Sequence, residues 1–404
     1  MALNVKVGLI GKFDMLKFKN MKKTREKAIQ AAPAKEVSGD FRININAKKL
    51  HPDYQRLVID KIIDRADAHS KTYVLKREDG EPFPYFRAGQ YLSFKLPIEG
   101  SFVTRCYSLC SSPKDALKGT AAITIRSAPG GFAADKLLEN LKVGDVLTAS
   151  DPQGFFYYED LRDAKNVIGL VGGSGITPFV SMAYAIRDGI EDFNLTLLFG
   201  SRDEKDILFR EELDDVAKVC PKVKVVYVLS DEEKEGYEHG FITAELIKKY
   251  APADGEYSVF LCGPEAMYRF VGPEIKKLGL PERLFRRKLI DVTREVWTCP
   301  GYPADCKGKV FDLTVKQGAE EYKIKAMAEE PVLVAIERAG IKAPSRCRSG
   351  ECGWCRSKLV SGTVFIPEEN ELRRWADVHY GYIHPCCSFP TSDLTVEVPG
   401  EYLG

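Results

Sequence analysis

The chain is poor in histidine, tryptophan and methionine, with five, three and six of them among 404 residues, and it has no apolar run approaching the eighteen residues of a membrane span. The five histidines enter no convincing catalytic grouping. There is no Ser-His-Asp triad signature, no H-E-x-x-H helix and no kinase-type phosphate loop, so nothing points to bond-making chemistry on an organic substrate. Charge of one sign is also missing. Lys and Arg number 59 against 58 Asp and Glu, a net charge of +1 that argues against nucleic acid as the partner of the whole protein. No secretory leader is recognised, so the eleven cysteines are expected as reduced thiols of a cytoplasmic protein rather than as disulfides. A hydrophobic content of 44% is ordinary for globular material, and the length allows two to four domains.

What is present is cysteine concentrated in one place. In CRSGECGWC, Cys347, Cys352 and Cys355 are spaced C-x4-C-x2-C, and a Cys386-Cys387 pair follows some thirty residues later. Two irons bridged by two sulfides need four thiolates, three of which can come from one wrapping loop, and this is the spacing of a plant-type 2Fe-2S ligand set. Gly350 and Gly353 suit such wrapping and leave amides free to face sulfur. A zinc knuckle fits poorly, since zinc sites usually pair two C-x2-C elements.

Residues 308–404 resemble plant-type ferredoxins, in which the last ligand stands four residues before a proline. Cys386 holds that position relative to Pro390, so the resemblance implies Cys386 as fourth ligand and Cys387 as a neighbour pointing away. Strands at Val310–Val315 and Tyr322–Lys325, a helix at Val332–Ala339 and a closing strand at Leu394–Val398 give the expected β-grasp layout. Arg346 departs from the family, where a small residue precedes the first ligand. With Arg348 and Arg356 it predicts a basic cluster rim, suited to an acidic partner or a raised potential. His379 and His384 flank the approach to Cys386 and are read as lying outside the ligand set.

Residues 51–290 carry three further motifs. Arg105-Cys106-Tyr107-Ser108 lies in an alternating stretch that predicts a strand. Ile125-Arg126 leads into Gly130-Gly131-Phe132, before a helix expected at Ala133–Leu138. Gly169-Leu170-Val171-Gly172-Gly173-Ser174-Gly175-Ile176-Thr177-Pro178 reads as a strand breaking into a glycine-rich turn and then a helix, the arrangement that sets a dinucleotide pyrophosphate against backbone amides. Phe260-Leu261-Cys262-Gly263-Pro264 ends another apolar strand. In this order the motifs resemble the ferredoxin reductase superfamily. The resemblance implies that Arg105 holds flavin phosphate, Tyr107 packs on the flavin ring and Ser108 bonds near its reactive nitrogen. It also implies that Arg126, Gly130 and Gly131 serve the flavin pyrophosphate, that Gly172, Gly173, Gly175 and Thr177 take the nicotinamide dinucleotide, and that Cys262, Gly263 and Pro264 stand beside the nicotinamide. Ser108 and Cys262 are thus the candidate catalytic residues. Ala134 replaces a phosphate-binding Ser or Thr, which leaves FMN open beside the favoured FAD. Arg202, in the mixed-charge loop Gly200–Asp206, leaves NADPH open beside the favoured NADH.

The expected architecture is a multi-domain α/β and β protein. A basic extension at 1–50 is followed by a flavin-binding Greek-key β-barrel at 51–158, a parallel α/β nicotinamide domain at 159–290, a linker at 291–307 and a β-grasp ferredoxin domain at 308–404. The extension carries twelve Lys or Arg against four Asp or Glu, a candidate docking arm. Cys299 and Cys306 in the linker are read as plain thiols. The expected activity is electron transfer from NAD(P)H through flavin and the 2Fe-2S centre to an external protein acceptor, as in phthalate-type oxygenase reductases and hybrid-cluster protein reductases. Reductive activation of a corrinoid-type metallocofactor protein, and a cluster-based redox sensor, are the alternative functions.

Overall fold

The computed structural model describes residues 21, 23–28, 30–31, 41–65, 69–98, 101–127, 140–293 and 299–400. Two compact units divide at Lys48 and Lys49. In the first, the described residues 21–31 are exposed, and Arg42–Leu50 is a helix with no buried residue. No helix among the described residues is long and apolar enough to cross a membrane.

The second unit holds three principal sheets. In the first, alternation of buried Gln55, Leu57 and Ile59 with the more exposed Arg56, Val58 and Asp60 makes Gln55–Arg65 (β1) a half-buried strand. It is joined by Ser70–Arg77 (β2), Tyr91–Ile98 (β3), Ser101–Ser108 (β4), Thr120–Arg126 (β5) and Val146–Ala149 (β6) in the antiparallel order β4-β3-β6-β1-β2-β5. A bridge from Leu109 to Ile123 ties the end of β4 to β5, so the sheet closes into a barrel around Leu57, Tyr73, Phe94 and Ile123.

The second sheet contains Asn166–Gly172 (β7), Asn194–Ser201 (β8), Val223–Leu229 (β9), Glu238–His239 (β10), Tyr257–Cys262 (β11) and Phe285–Arg287 (β12). They run parallel in the order β10-β9-β8-β7-β11-β12, with helices Thr177–Arg187, Arg210–Val219, Ala244–Tyr250 and Glu265–Lys276 between strands. Residues 167–172 of β7 and 259–262 of β11 are apolar throughout because these strands are buried on both faces. A buried ion pair, Arg286 Nε to Asp163 Oδ1 at 2.8 Å, joins β12 to the chain leaving the barrel, and Arg286 also donates to the carbonyl of Phe155 at 3.0 Å.

The third sheet is built from Val310–Gln317 (β13), Glu320–Met327 (β14), Ser357–Ser361 (β15), Tyr382–Ile383 (β17) and Leu394–Glu397 (β19), in the order β14-β13-β19-β15-β17. Val364–Phe365 (β16) and Phe389–Pro390 (β18) pair separately. β13 and β19 are parallel and the other pairs antiparallel, with helix Val332–Arg338 packed on the core of Leu313, Val315, Ile336 and Val396. This is the expected β-grasp.

Candidate functional site

The order of the parallel sheet reverses at β7, whose neighbours are β8 on one side and β11 on the other. Crevices beyond the carboxyl ends of strands at such points receive ligands in α/β proteins. Two of the motifs meet there. A Cβ on Gly172 would lie 2.8 Å from Pro264 Cδ, and one on Gly175 would lie 2.3 Å from the Cys262 carbonyl oxygen. The glycines and the Cys-Gly-Pro turn are therefore two sides of one close backbone crossing. Gly173 has φ 51° and starts a 3-10 turn, Gly173–Ile176, that opens the helix at Thr177. Thr177 Oγ1 donates to the Ser174 carbonyl at 3.0 Å, which fixes the turn. The Cys262 thiol is buried, and burial pushes its pKa up to about 11.

Arg126 leaves the barrel at the end of β5 and reaches this turn. Its Nη1 lies 3.2 Å from where a Cβ on Gly173 would stand, and its Nη2 forms an ion pair with Asp206. Arg202, 70% exposed, lies 3.4 Å from the same carboxylate oxygen. Residues that the sequence reading assigned separately to flavin and nicotinamide thus share one partner. Asp206 was not singled out, and no local motif could have done so, because the pairing joins positions eighty residues apart.

On the barrel, Arg105 Nη1 donates to the Thr104 carbonyl at 2.9 Å and its Nε lies 3.8 Å from Asp291. Burial lowers the Arg105 pKa, against the pull of that carboxylate. The Tyr107 ring packs at 5.9 Å from Phe94, and Ser108 stands opposite Tyr91 in the β3–β4 ladder. The Tyr91 hydroxyl and Asp291 Oδ2 are buried without a hydrogen-bond partner. A flavin carries ring acceptors and ribityl hydroxyl donors, the complements that the Tyr91 hydroxyl and Asp291 Oδ2 lack, and Arg105 beside them is a cation suited to its phosphate, so the residues present fit the group. Gly130, Gly131 and the helix expected at Ala133–Leu138 lie outside the described residues.

In the cysteine loop, the amides of Ser349 and Cys352 point at Cys347 Sγ at 3.5 and 3.4 Å, and that of Trp354 at Cys352 Sγ at 3.4 Å. Cys355 Sγ lies 3.4 Å from Cys386 Sγ. Hydrogen bonds from Cys352 and Cys386 hold the Cys347 thiol well below its ordinary range. Positive φ at Arg348 (56°), Gly350 (87°) and Gly353 (68°) produces the wrapping. Four converging sulfurs ringed by amides form a donor set that fits a 2Fe-2S cluster. Cys387 Sγ instead faces the carbonyls of His384 (3.5 Å) and Asn370 (3.7 Å). His384 Nδ1 donates to the Gly350 carbonyl at 2.9 Å, whereas His379 stacks on exposed Trp375. Cys299 and Cys306 form no disulfide.

The expected basic rim is overturned. Arg346 and Arg348 have side chains only 5% and 2% exposed, and they face inward. Arg348 makes a bidentate pair with Glu337 at 2.8 and 2.6 Å, and donates to Thr293 at 2.6 Å and Thr104 at 3.3 Å. Arg346 lies over the Trp354 ring at 3.5 Å and donates to the Asp53 carbonyl at 2.6 Å. Arg356 pairs with Asp377 at 2.5 Å. The physical reason is that the loop is seated on the barrel. Ser93 Oγ donates to the Arg346 carbonyl at 3.0 Å, Thr104 and Ser345 hydroxyls meet at 2.8 Å, and Cys106 Sγ lies 3.2 and 3.7 Å from the carbonyls of Arg346 and Cys347.

Residues 68–158 match an oxidoreductase FAD-binding domain, 170–272 an oxidoreductase NAD-binding domain and 315–391 a 2Fe-2S iron-sulfur cluster binding domain. The ferredoxin reductase component of 3-ketosteroid-9-alpha-monooxygenase from Mycobacterium tuberculosis is 30% identical over 359 residues, covering 85% of this chain and 94% of that protein. A glycine betaine monooxygenase reductase subunit from Chromohalobacter salexigens is 28% identical over 334 residues, covering 78% and 87%. The solved structure of phthalate dioxygenase reductase shares the fold, with a TM-score of 0.58 and 24% identity over 85% of this chain and 98% of that one. The chain belongs to the family of flavin and 2Fe-2S reductases that these components represent. It is an oxidoreductase with FAD-binding, NAD-binding and 2Fe-2S domains that passes electrons from nicotinamide to an external protein acceptor.

Proposed function

We propose that this chain is the reductase component of a multicomponent oxygenase, with NADH as donor. When bound, flavin converts the electron pair of a hydride into single electrons that a 2Fe-2S centre accepts. The chain's own part is to hold these groups in line. The observation that carries the reading is the seating of the cysteine loop on the β3–β4 ladder, which puts Cys347 directly against the strand bearing Arg105, Tyr107 and Ser108.

We assign Cys347, Cys352, Cys355 and Cys386 to the cluster, and the Cys387 thiol, buried against the His384 and Asn370 carbonyls, supports that choice. Arg105 is assigned to flavin phosphate, Tyr107 and Ser108 to the ring, and Gly130 and Gly131 to the pyrophosphate. Gly172, Gly173, Gly175 and Thr177 form the nucleotide turn, with Cys262, Gly263 and Pro264 beside the nicotinamide. Arg126 is assigned to the space between the two pyrophosphates, which its approach to Gly173 supports. NADH is favoured because Asp206 already engages Arg202, the loop's candidate for a 2'-phosphate. The domain limits are proposed at 51–158, 159–290 and 308–404, with a linker at 291–307 and the basic residues of 1–50 as an arm for the acceptor. Seven cysteines outside the cluster set, none of them in a disulfide, support a reducing, cytoplasmic location.

The test is anaerobic titration with NADH and then NADPH, following flavin and cluster absorption together with EPR. Bleaching of flavin followed by a rhombic 2Fe-2S signal, with NADH the better donor, is expected. Flavin reduction that leaves the cluster oxidised would overturn the fixed in-line arrangement, and equal use of NADPH would overturn the donor assignment.

A further inference from the structure

Lys288 belongs to none of the motifs, yet all three folded parts meet at it. Its backbone is fixed to the nicotinamide sheet, the amide donating to the Leu261 carbonyl at 2.9 Å and the carbonyl accepting from Tyr268 at 2.6 Å. Its ammonium crosses to the barrel, donating to the Gly89 carbonyl at 3.3 Å and lying 5.0 Å from the Tyr91 ring and 5.6 Å from Phe156. The groups acting on its charge are Cys262 of the nucleotide crevice, Glu351 of the cysteine loop and Cys106 of the barrel. Tyr91 is the ladder partner of Ser108, so the ammonium stands at the strand beside the residue assigned to flavin, and its charge interacts with Cys262, assigned to the nicotinamide.

We propose that Lys288 is the counter-charge of the redox site, a fixed cation that favours the reduced, more negative state of the bound flavin. The inference rests on the assignment of Ser108 and Cys262 given above. Hydride transfer moves two electrons and one proton out of reduced nicotinamide, leaving oxidised nicotinamide and adding one negative charge beside the ammonium. Two single electrons then leave toward Cys347 and the external acceptor, and the proton returns to solvent. A cation in a partly desolvated site acts on such a charge far more strongly than one in water. Burial lowers the Lys288 pKa and the Glu351 carboxylate opposes that, while among the described residues no carboxylate forms a direct ion pair with the ammonium.

The experiment compares K288M and K288R with the parent by spectroelectrochemistry of the flavin couple, after measuring flavin and iron content. K288M should shift the equilibrium at least tenfold toward oxidised flavin, 29.6 mV for a two-electron couple, while K288R stays within twofold. An unchanged potential in flavin-replete K288M, or an equal shift in K288R, overturns the proposal. If K288M loses flavin, K288Q is measured in its place, and an unchanged flavin potential in that variant overturns the proposal. Failure of NADH to bleach flavin in the parent would sink the underlying site assignment instead, which is a separate observation.

Discussion

The barrel makes two junctions, and each uses a pair of arginines in opposite ways. Toward the ferredoxin domain, Arg346 and Arg348 are sealed under the cysteine loop with hydrogen-bond partners on several segments. Toward the nicotinamide domain, Arg126 and Arg202 share the single carboxylate of Asp206, with side chains 20% and 70% exposed. The first junction has no reason to open, since electrons cross it without a molecule entering. The second borders a crevice that a nucleotide must enter and leave, and Arg202 there stays near water, where exchanging partners costs little, while Arg126 and Asp206 are only partly covered. The same residue type is a strut in one place and an available ligand in the other, and burial decides which.

The largest effect expected is at the ferredoxin junction itself. Cys386→Ser should abolish or strongly alter the cluster absorption while Cys387→Ser leaves it intact, read from iron content and visible spectra. The reverse result would sink the ligand choice. Next, Arg348→Met strands Glu337 in a buried setting and should cost about 3–5 kcal/mol in denaturant unfolding, whereas Arg202→Ala should cost no more than about 1 kcal/mol. Equal costs would erase the contrast between the junctions. Arg105→Ala should purify with little flavin but full iron; retained flavin would break the phosphate assignment. Arg126→Ala should raise the KM for NADH of order tenfold, the size of one charge-assisted hydrogen bond, with cluster spectra unchanged.

The smallest effect concerns Cys262. With its thiol held neutral up to about 11 by burial, the folded state resists deprotonation longer than the unfolded chain. The associated stability is therefore present below the ordinary thiol pKa of 9.0 and is lost as pH rises from there through about 11. Parent and Cys262→Ala should have thermal midpoints that differ most near pH 8 and draw together by pH 10.5. A constant difference would show that packing alone, and not the proton, accounts for it.

Legibility from sequence followed the range of the interactions. The cluster loop, the glycine-rich turn and the β-grasp strands were readable because each is encoded within a few residues, by spacing, by φ-permissive glycine or by alternation. The reading of Arg346 and Arg348 as a rim failed because nothing in CRSGECGWC shows that Ser93, Thr104 and Glu337 close over it. Asp206 and Lys288 escaped notice for the same reason, since each draws its meaning from another sheet.

By itself the sequence determined the three cofactor-bearing folds and their order, because backbone geometry and thiol spacing are local constraints. Only the tertiary structure decided which charges are buried and which are offered to ligands, because the desolvation that separates a strut from a binding group is set by what lies across the interface.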